Sequence, residues 1–143
     1  MTRKKPVRKH PPTLRLRAVV PRLAVSDIGT SLAWYRDVMG FAVSEQLDHQ
    51  GQVIGVALKA GIAEFLLVQD ESGSNLGRGK CEGVRLTCVT AQDVAALAAQ
   101  VKARGGRLLE EPRDGIQQFT IADPDGYELL VVGAESARGA RVS

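Results

Sequence analysis

The chain has 143 residues, 44% hydrophobic and 4% aromatic, with 19 Lys and Arg against 16 Asp and Glu and a formal net charge of +3. That length supplies one domain with a sizeable core, and no run approaches the ~20 apolar residues of a membrane span. Seven basic residues and no acid fall within residues 1–17 (Arg3, Lys4, Lys5, Arg8, Lys9, Arg15, Arg17), so the rest of the chain carries about −4.

A basic pI suggests nucleic acid only when the charge lies on a folded face. Here it lies on a segment broken by Pro6, Pro11 and Pro12, with almost nothing to bury, so residues 1–16 are expected to be a disordered basic tail. Nucleic-acid and membrane partners are not expected. The tail lacks the apolar stretch of an export leader, and the expected location is the cytoplasm. Cys81 and Cys88 match no zinc spacing and are read as free thiols.

In chain order, residues 17–25 read as a strand, with Pro21 favouring an edge position. Asp27 is a good N-cap for a helix whose buried face is Ile28, Leu32, Tyr35 and Met39, and Gly40 suits its C-terminal stop. Strands follow at 41–47, 52–58 and 63–68, the first two joined by Asp48-His49-Gln50-Gly51. A glycine-rich connector, 70–82, contains Gly77-Arg78-Gly79-Lys80, which lacks the spacing and Ser/Thr of a phosphate loop. The order then repeats: a strand at 84–89, a helix from about Gln92 with Val94, Leu97, Ala98 and Val101 inward, and a stop at Gly105-Gly106. Strands at 107–110 and 117–122 follow, then the Asp123-Pro124-Asp125-Gly126 turn and a last strand at 127–132. Residues 135–143 are expected to be flexible.

Asp27-Ile28 recurs as Asp93-Val94, and Ala63-Glu64-Phe65-Leu66 as Tyr127-Glu128-Leu129-Leu130. Offsets of 66 and 64 residues mark two copies of one supersecondary unit, 17–69 and 83–133, within a single domain, 17–134. The expected fold class is α+β: two tandem βαβββ units.

Val25-Ser26-Asp27-Ile28 through Ser31-Leu32-Ala33-Trp34-Tyr35 and Met39-Gly40-Phe41, paired with Asp123-Pro124-Asp125-Gly126-Tyr127-Glu128-Leu129-Leu130, resemble the vicinal oxygen chelate superfamily over about residues 18–132. That group includes glyoxalase I, extradiol dioxygenases, fosfomycin-resistance enzymes and bleomycin-binding proteins. The resemblance implies curled mixed sheets around a cleft, helices on the convex side, and a site often completed in a homodimer. It also implies a divalent metal held by His, Glu or Gln on the first and last strands of each unit.

Carried over residue by residue, those ligand positions fall on Val20, Leu66, Gly83 or Val84, and Leu130. None has a donor atom, whereas a catalytic metal needs about three protein ligands. Glu82 stands close enough to rescue one at most. His10 in the tail and His49 in a turn do not help. No metal and no other cofactor are expected.

Strand alternation puts Arg22, Glu64, Glu128 and, in unit two, Arg85 and Thr87 on the cleft side. They make an apolar cleft with a few polar groups, the ordinary make-up of a small-molecule pocket. Two readings of the charges stay open: ligand contacts, or ion pairs of Glu64 with Arg22 and Glu128 with Arg85. Trp34, Tyr35 and Cys88 are assigned to packing. The resemblance favours a metal-free binder similar to the bleomycin-binding proteins, whose Pro-x-Leu-x-Val-x-Asp opening Pro21–Asp27 matches. The alternative is an enzyme (a lyase, isomerase or dioxygenase type) with displaced metal ligands or with Glu64 or Glu128 as general base.

Overall fold

The computed structural model describes residues 14–70 and 83–134. The expectations for the basic tail up to residue 13, for residues 71–82 of the connector with Cys81 and Glu82, and for residues 135–143 lie outside them.

Two repeats of one topology are present. The first runs β1 (Arg22–Val25), α1 (Ile28–Ala33), β2 (Ala42–His49), β3 (Gln52–Ala60) and β4 (Ala63–Gln69). The second runs β5 (Arg85–Thr90), α2 (Val94–Ala103), β6 (Leu108–Glu110), β7 (Gln118–Ala122) and β8 (Glu128–Gly133). Each makes its own four-stranded mixed sheet, β1-β4-β3-β2 and β5-β8-β7-β6. In both, the first strand pairs parallel with the last, with Arg22 opposite Leu66 and Arg85 opposite Glu128. A parallel pair needs a crossover, which α1 with β2 and β3 supplies in one unit and α2 with β6 and β7 in the other.

The helices begin where the sequence places them. Asp27 Oδ1 accepts from the amides of Gly29 (3.0 Å) and Thr30 (3.3 Å), and Asp93 Oδ1 from those of Ala95 (3.0 Å) and Ala96 (3.3 Å). Each aspartate thus satisfies orphan donors of the first turn. Helix α1 is shorter than expected. From Trp34 to Val38 the backbone widens into a π-turn, with Met39 N donating to Trp34 O at 3.1 Å. Gly40, at φ 79°, then reverses the chain as only glycine does without strain.

Strand β1 is shorter too. The stretch 17–21 is not strand, and Val19 and Val20 are 77% and 43% exposed. Proline 21 has no N–H to continue the ladder, although its carbonyl still accepts from Leu66 N at 2.8 Å. β1 is an edge strand, the place where such a proline is tolerated. His49 ends β2 rather than sitting in the turn, which is made by Gln50 and Gly51 at φ 50° and 78°, the positive-φ pair of a two-residue hairpin.

Alternation sorts each sheet into two faces. Leu23, Val25, Phe65 and Leu67 of the first sheet, and Phe119, Ile121, Leu129 and Val131 of the second, enter one apolar cluster with Tyr35, Val94, Ala98 and Val101. The helices cover this side. The opposite face of each sheet, open in the sense that no helix covers it, carries Arg22, Glu64, Arg85 and Glu128, although Leu130, Val132 and Thr120 on the second sheet's face are buried.

Candidate functional site

The open faces hold the residues singled out from the sequence. On the first sheet Arg22 and Glu64 are exposed and Leu66 is half-buried. Lys59 stands directly opposite Glu64, and its Nζ lies 3.9 Å from Glu64 Oε1. The expected Glu64–Arg22 pair is therefore corrected to Glu64–Lys59. Arg22 is in register with Leu66, two residues further along β4, so the antiparallel neighbour reaches the carboxylate first.

On the second sheet Arg85 and Glu128 are direct cross-strand partners joined at 3.1 Å, Arg85 Nη2 donating to Glu128 Oε1. Thr87 is exposed opposite Leu130, which is buried at 6% exposure. Leu130 is next to Thr120 on β7, and Thr120 is next to Glu110 on β6. Thr87, Leu130, Thr120 and Glu110 thus form one row across four strands.

Glu110 was not a sequence candidate. Its place in the row depends on a register shift: Leu108 faces Ile121 and Glu110 faces Thr120, with Leu109 skipped. A bulge of this kind re-aims side chains by one position. Alternation alone puts Leu109, not Glu110, opposite Thr120. One oxygen, Glu110 Oε1, accepts from Thr120 Oγ1 and from Gln118 Nε2, both at 3.1 Å.

The residues present do not fit the metal that the family resemblance implies. Val20 is 43% exposed and lies outside the ladder, Leu130 is buried, and Val84 is 45% exposed ahead of β5. Val84 is also out of phase with Arg85 and Thr87. Gly83, which is in phase, turns the chain at φ 74°. The nearby acids Glu64 and Glu128 stand beside Lys59 and Arg85. Among the described residues, no three His, Cys, Asp or Glu side chains converge where an ion could be held.

A second set of contacts joins the two units behind this face. Tyr35 is fully buried, and its hydroxyl donates to Asp123 Oδ2 at 2.8 Å. Asp123 Oδ1 accepts from Asp125 N at 2.9 Å and Tyr127 N at 2.8 Å, closing the Asp-Pro-Asp-Gly turn. Asp125 accepts from Ser26 N at 3.2 Å and Ser31 Oγ at 3.4 Å, and Tyr127 Oη donates to Ala24 O at 3.1 Å. Burial pushes the Asp123 carboxyl above its ordinary value, against the pull of these donors. Burial also pushes the Tyr35 hydroxyl far up, reinforced by Asp123, so it remains a donor. The two sequence motifs are thus the two sides of one polar joint.

Trp34 and Tyr35 pack as expected, their rings edge to face with centroids 4.8 Å apart. Cys88 lies against the core, and burial pushes its thiol up to about 11, the opposite of what a nucleophile needs. A groove of about 390 Å³ lies away from the open faces, between Thr90, Gln92, Asp93, Gln117 and Ala134. Asp93 is occupied in capping α2, and Thr90 Oγ1 is held by Gln92 N at 3.1 Å.

Comparison with known proteins agrees with this fold. The family model of the Glyoxalase/Bleomycin resistance protein/Dioxygenase superfamily matches residues 15–131. Among solved structures, TioX from Micromonospora sp. ML1 is similar with a TM-score of 0.68 at 19% identity, over 81% of this chain and 97% of that one. TnmS3, an antibiotic binding protein from Streptomyces sp. CB03234, gives 0.62 at 19% identity over 85% and 98%. Lactoylglutathione lyase from Agrobacterium tumefaciens gives 0.62 at 19% identity over 87% and 96%. The search of curated proteins found no match.

Proposed function

The chain belongs to the Glyoxalase/Bleomycin resistance protein/Dioxygenase superfamily, and we propose that it is a metal-independent, cytoplasmic homodimer that binds a small organic molecule on its open sheet faces. The observation that carries this reading is the donor set. All four positions to which the family's ligands carry over are without donor atoms, and the carboxylates beside two of them stand next to Lys59 and Arg85. What remains is apolar surface with a few oriented polar groups, the composition of an organic-ligand site. Arg22, Glu64, Arg85, Thr87 and Glu128 are the proposed contacts.

The likeness to an antibiotic binding protein supports a binding role, although an aromatic content of 4% leaves few stacking platforms for a large planar drug. Arg22, Glu64, Arg85 and Thr87 stand exposed on faces that no helix covers, which favours closure by a second copy. The test is elemental analysis of protein purified without a histidine tag or chelator, followed by thermal-shift screening against divalent metals, aldehyde–thiol adducts and cationic antibiotics. The expected result is no stoichiometric metal and stabilisation by an organic compound alone. About one zinc, iron, nickel or manganese per chain, with stabilisation by that metal, overturns the reading in favour of a metal-dependent enzyme. Light scattering showing a monomer at micromolar concentration removes the dimer.

A further inference from the structure

The two repeats differ where the last strand of each unit passes the start of its helix. In unit one Gln69 ends β4, and its carboxamide closes the space there. Its Oε1 accepts from Ile28 N, the first amide of α1, at 2.9 Å, and its Nε2 donates to Ser26 O at 2.8 Å and to Val25 O and Asp70 O, both at 3.3 Å. Register fixes the equivalent residue in unit two. Val25 stands opposite Gln69 as Thr90 stands opposite Gly133, and Asp70 N donates to Val25 O as Ala134 N donates to Thr90 O. Gly133 has no side chain, and the groove of about 390 Å³ lies there, walled by Thr90, Gln92, Val94, Gln117 and Gly133 itself. We infer that this groove, away from the open faces, binds a small molecule through a primary carboxamide that takes the place the Gln69 side chain fills in unit one.

Val94 N, the first amide of α2, corresponds to Ile28 N. Asp93 caps the next two amides, of Ala95 and Ala96, but not this one, and among the described residues no acceptor meets it. It is an orphan donor of the first helical turn, of the kind that Gln69 satisfies in the other repeat. The Gln92 side chain turns back instead, its Oε1 lying 3.4 Å from Thr90 Oγ1. A carbon added at Gly133 would stand 3.7 Å from Val94 Cγ2 and 3.8 Å from Gln117 Cβ, ordinary contact distances, so a group fits at this point without strain. The carboxamide is the matching chemistry because one planar group presents an acceptor for the amide and two donors for backbone carbonyls. A carboxylate accepts only, and it would bring a second negative charge beside Asp93. The volume lies in the range of small-molecule sites and leaves space for a ring attached to the amide.

The test uses the full chain and three probes of one skeleton, benzamide, N,N-dimethylbenzamide and benzoate, titrated by amide chemical-shift mapping. Benzamide is expected to bind about tenfold more tightly than either of the others, the worth of one or two neutral hydrogen bonds, with its largest saturable shift at the Val94 amide and smaller ones at Gln92 and Gly133. Gly133→Gln installs in unit two the side chain that unit one carries. It should abolish benzamide binding in the groove without lowering the melting temperature, which separates occlusion from loss of the fold. The ranking of the three probes on the unaltered protein is independent of how that variant folds. Benzoate or N,N-dimethylbenzamide matching benzamide, binding that survives in Gly133→Gln, or no saturable shift at Val94 with any probe overturns the inference. Each of these outcomes leaves the reading of the open faces untouched, since none of the probes' expected shifts lies there.

Discussion

Tyr35 and Asp123 are 88 residues apart in sequence and 2.8 Å apart in space, a buried hydroxyl donating to a buried carboxylate across the seam of the two repeats. This contact explains why the Ser-Asp helix opening and the Asp-Pro-Asp-Gly turn occur together. Each supplies one side of the joint, and neither side can satisfy its polar groups alone.

Removing the hydroxyl gives the first expected outcome. Tyr35→Phe leaves a buried acceptor short of a donor and should cost about 1–3 kcal/mol. The pH dependence has a definite sign. Asp123 has a folded pKa above its ordinary 3.8, so its contribution is fully present below that value and is lost as pH rises through the folded pKa. The Tyr35 hydrogen bond pulls that pKa down, and its loss raises it further. The deficit of Tyr35→Phe in urea unfolding should therefore be larger at pH 7 than near pH 4. Equal deficits at both would show that the ionised form gains nothing from the hydroxyl.

Gly106 tests packing between the units. A methyl group there meets Val101 Cγ1 at 2.5 Å, with Val101 O and Val38 Cγ1 at 3.0 Å. Its φ is not positive, so the conflict is one of space rather than of backbone conformation. Gly106→Ala should destabilise by about 1–3 kcal/mol, the usual cost of overpacking, as a lower melting temperature. Gly61→Ala, where the added carbon meets nothing but φ is 65°, separates steric conflict from backbone strain.

Cys88 should be a slow thiol. With a pKa near 11 against an ordinary 9.0, thiolate is about 100-fold scarcer at pH 8. The higher intrinsic nucleophilicity of a more basic thiolate recovers part of this, leaving about a tenfold deficit before access is counted. In a Cys81→Ser background, iodoacetamide labelling at pH 8 should be at least about tenfold slower in native protein than in urea. Equal rates would mean that Cys88 is neither buried nor protonated.

The ion pairs on the open faces should matter little to stability. Arg85 and Glu128 side chains are 56% and 38% exposed, and Lys59 and Glu64 are 52% and 44% exposed, so solvent screens both pairs. Glu128→Gln and Glu64→Gln should each change unfolding free energy by less than about 1 kcal/mol. If Glu128 also contacts a cationic ligand, its substitution weakens binding of that ligand by about 1–3 kcal/mol while the fold stays intact. A loss of stability well above 1 kcal/mol would instead make these pairs structural.

Most of the fold was legible because each unit announces itself locally. Asp27 and Asp93 mark helix starts, Gly40 and Gly126 sit at positive φ where the sequence places turns, and the repeat marks the element order βαβββ in each unit. Alternation placed Leu23, Val25, Phe65, Leu67, Leu129 and Val131 on the core side correctly. Three things were not legible, each for a physical reason. The partner of Glu64 depends on which strand is its direct neighbour, and pairing register is not written in one strand's sequence. The place of Glu110 opposite Thr120 depends on a one-residue bulge at Leu109, which reverses alternation without changing composition. The Tyr35–Asp123 joint is a contact between units, whereas periodicity describes only what happens within one.

The polar joint also bears on how the chain folds and opens. Each parallel pairing closes over a separation of 43 or 44 residues within its own unit, whereas the bonds of the joint span 88, 99 and 103. Pairings of shorter separation close first, so each sheet can assemble before the two dock. The same order in reverse makes the seam the place where the native protein opens most cheaply. Native-state hydrogen exchange should find the Ser26 amide, which donates across the joint to Asp125, exchanging well before the amides of β8. Equal protection at both would mean that the two halves open as a single cooperative block.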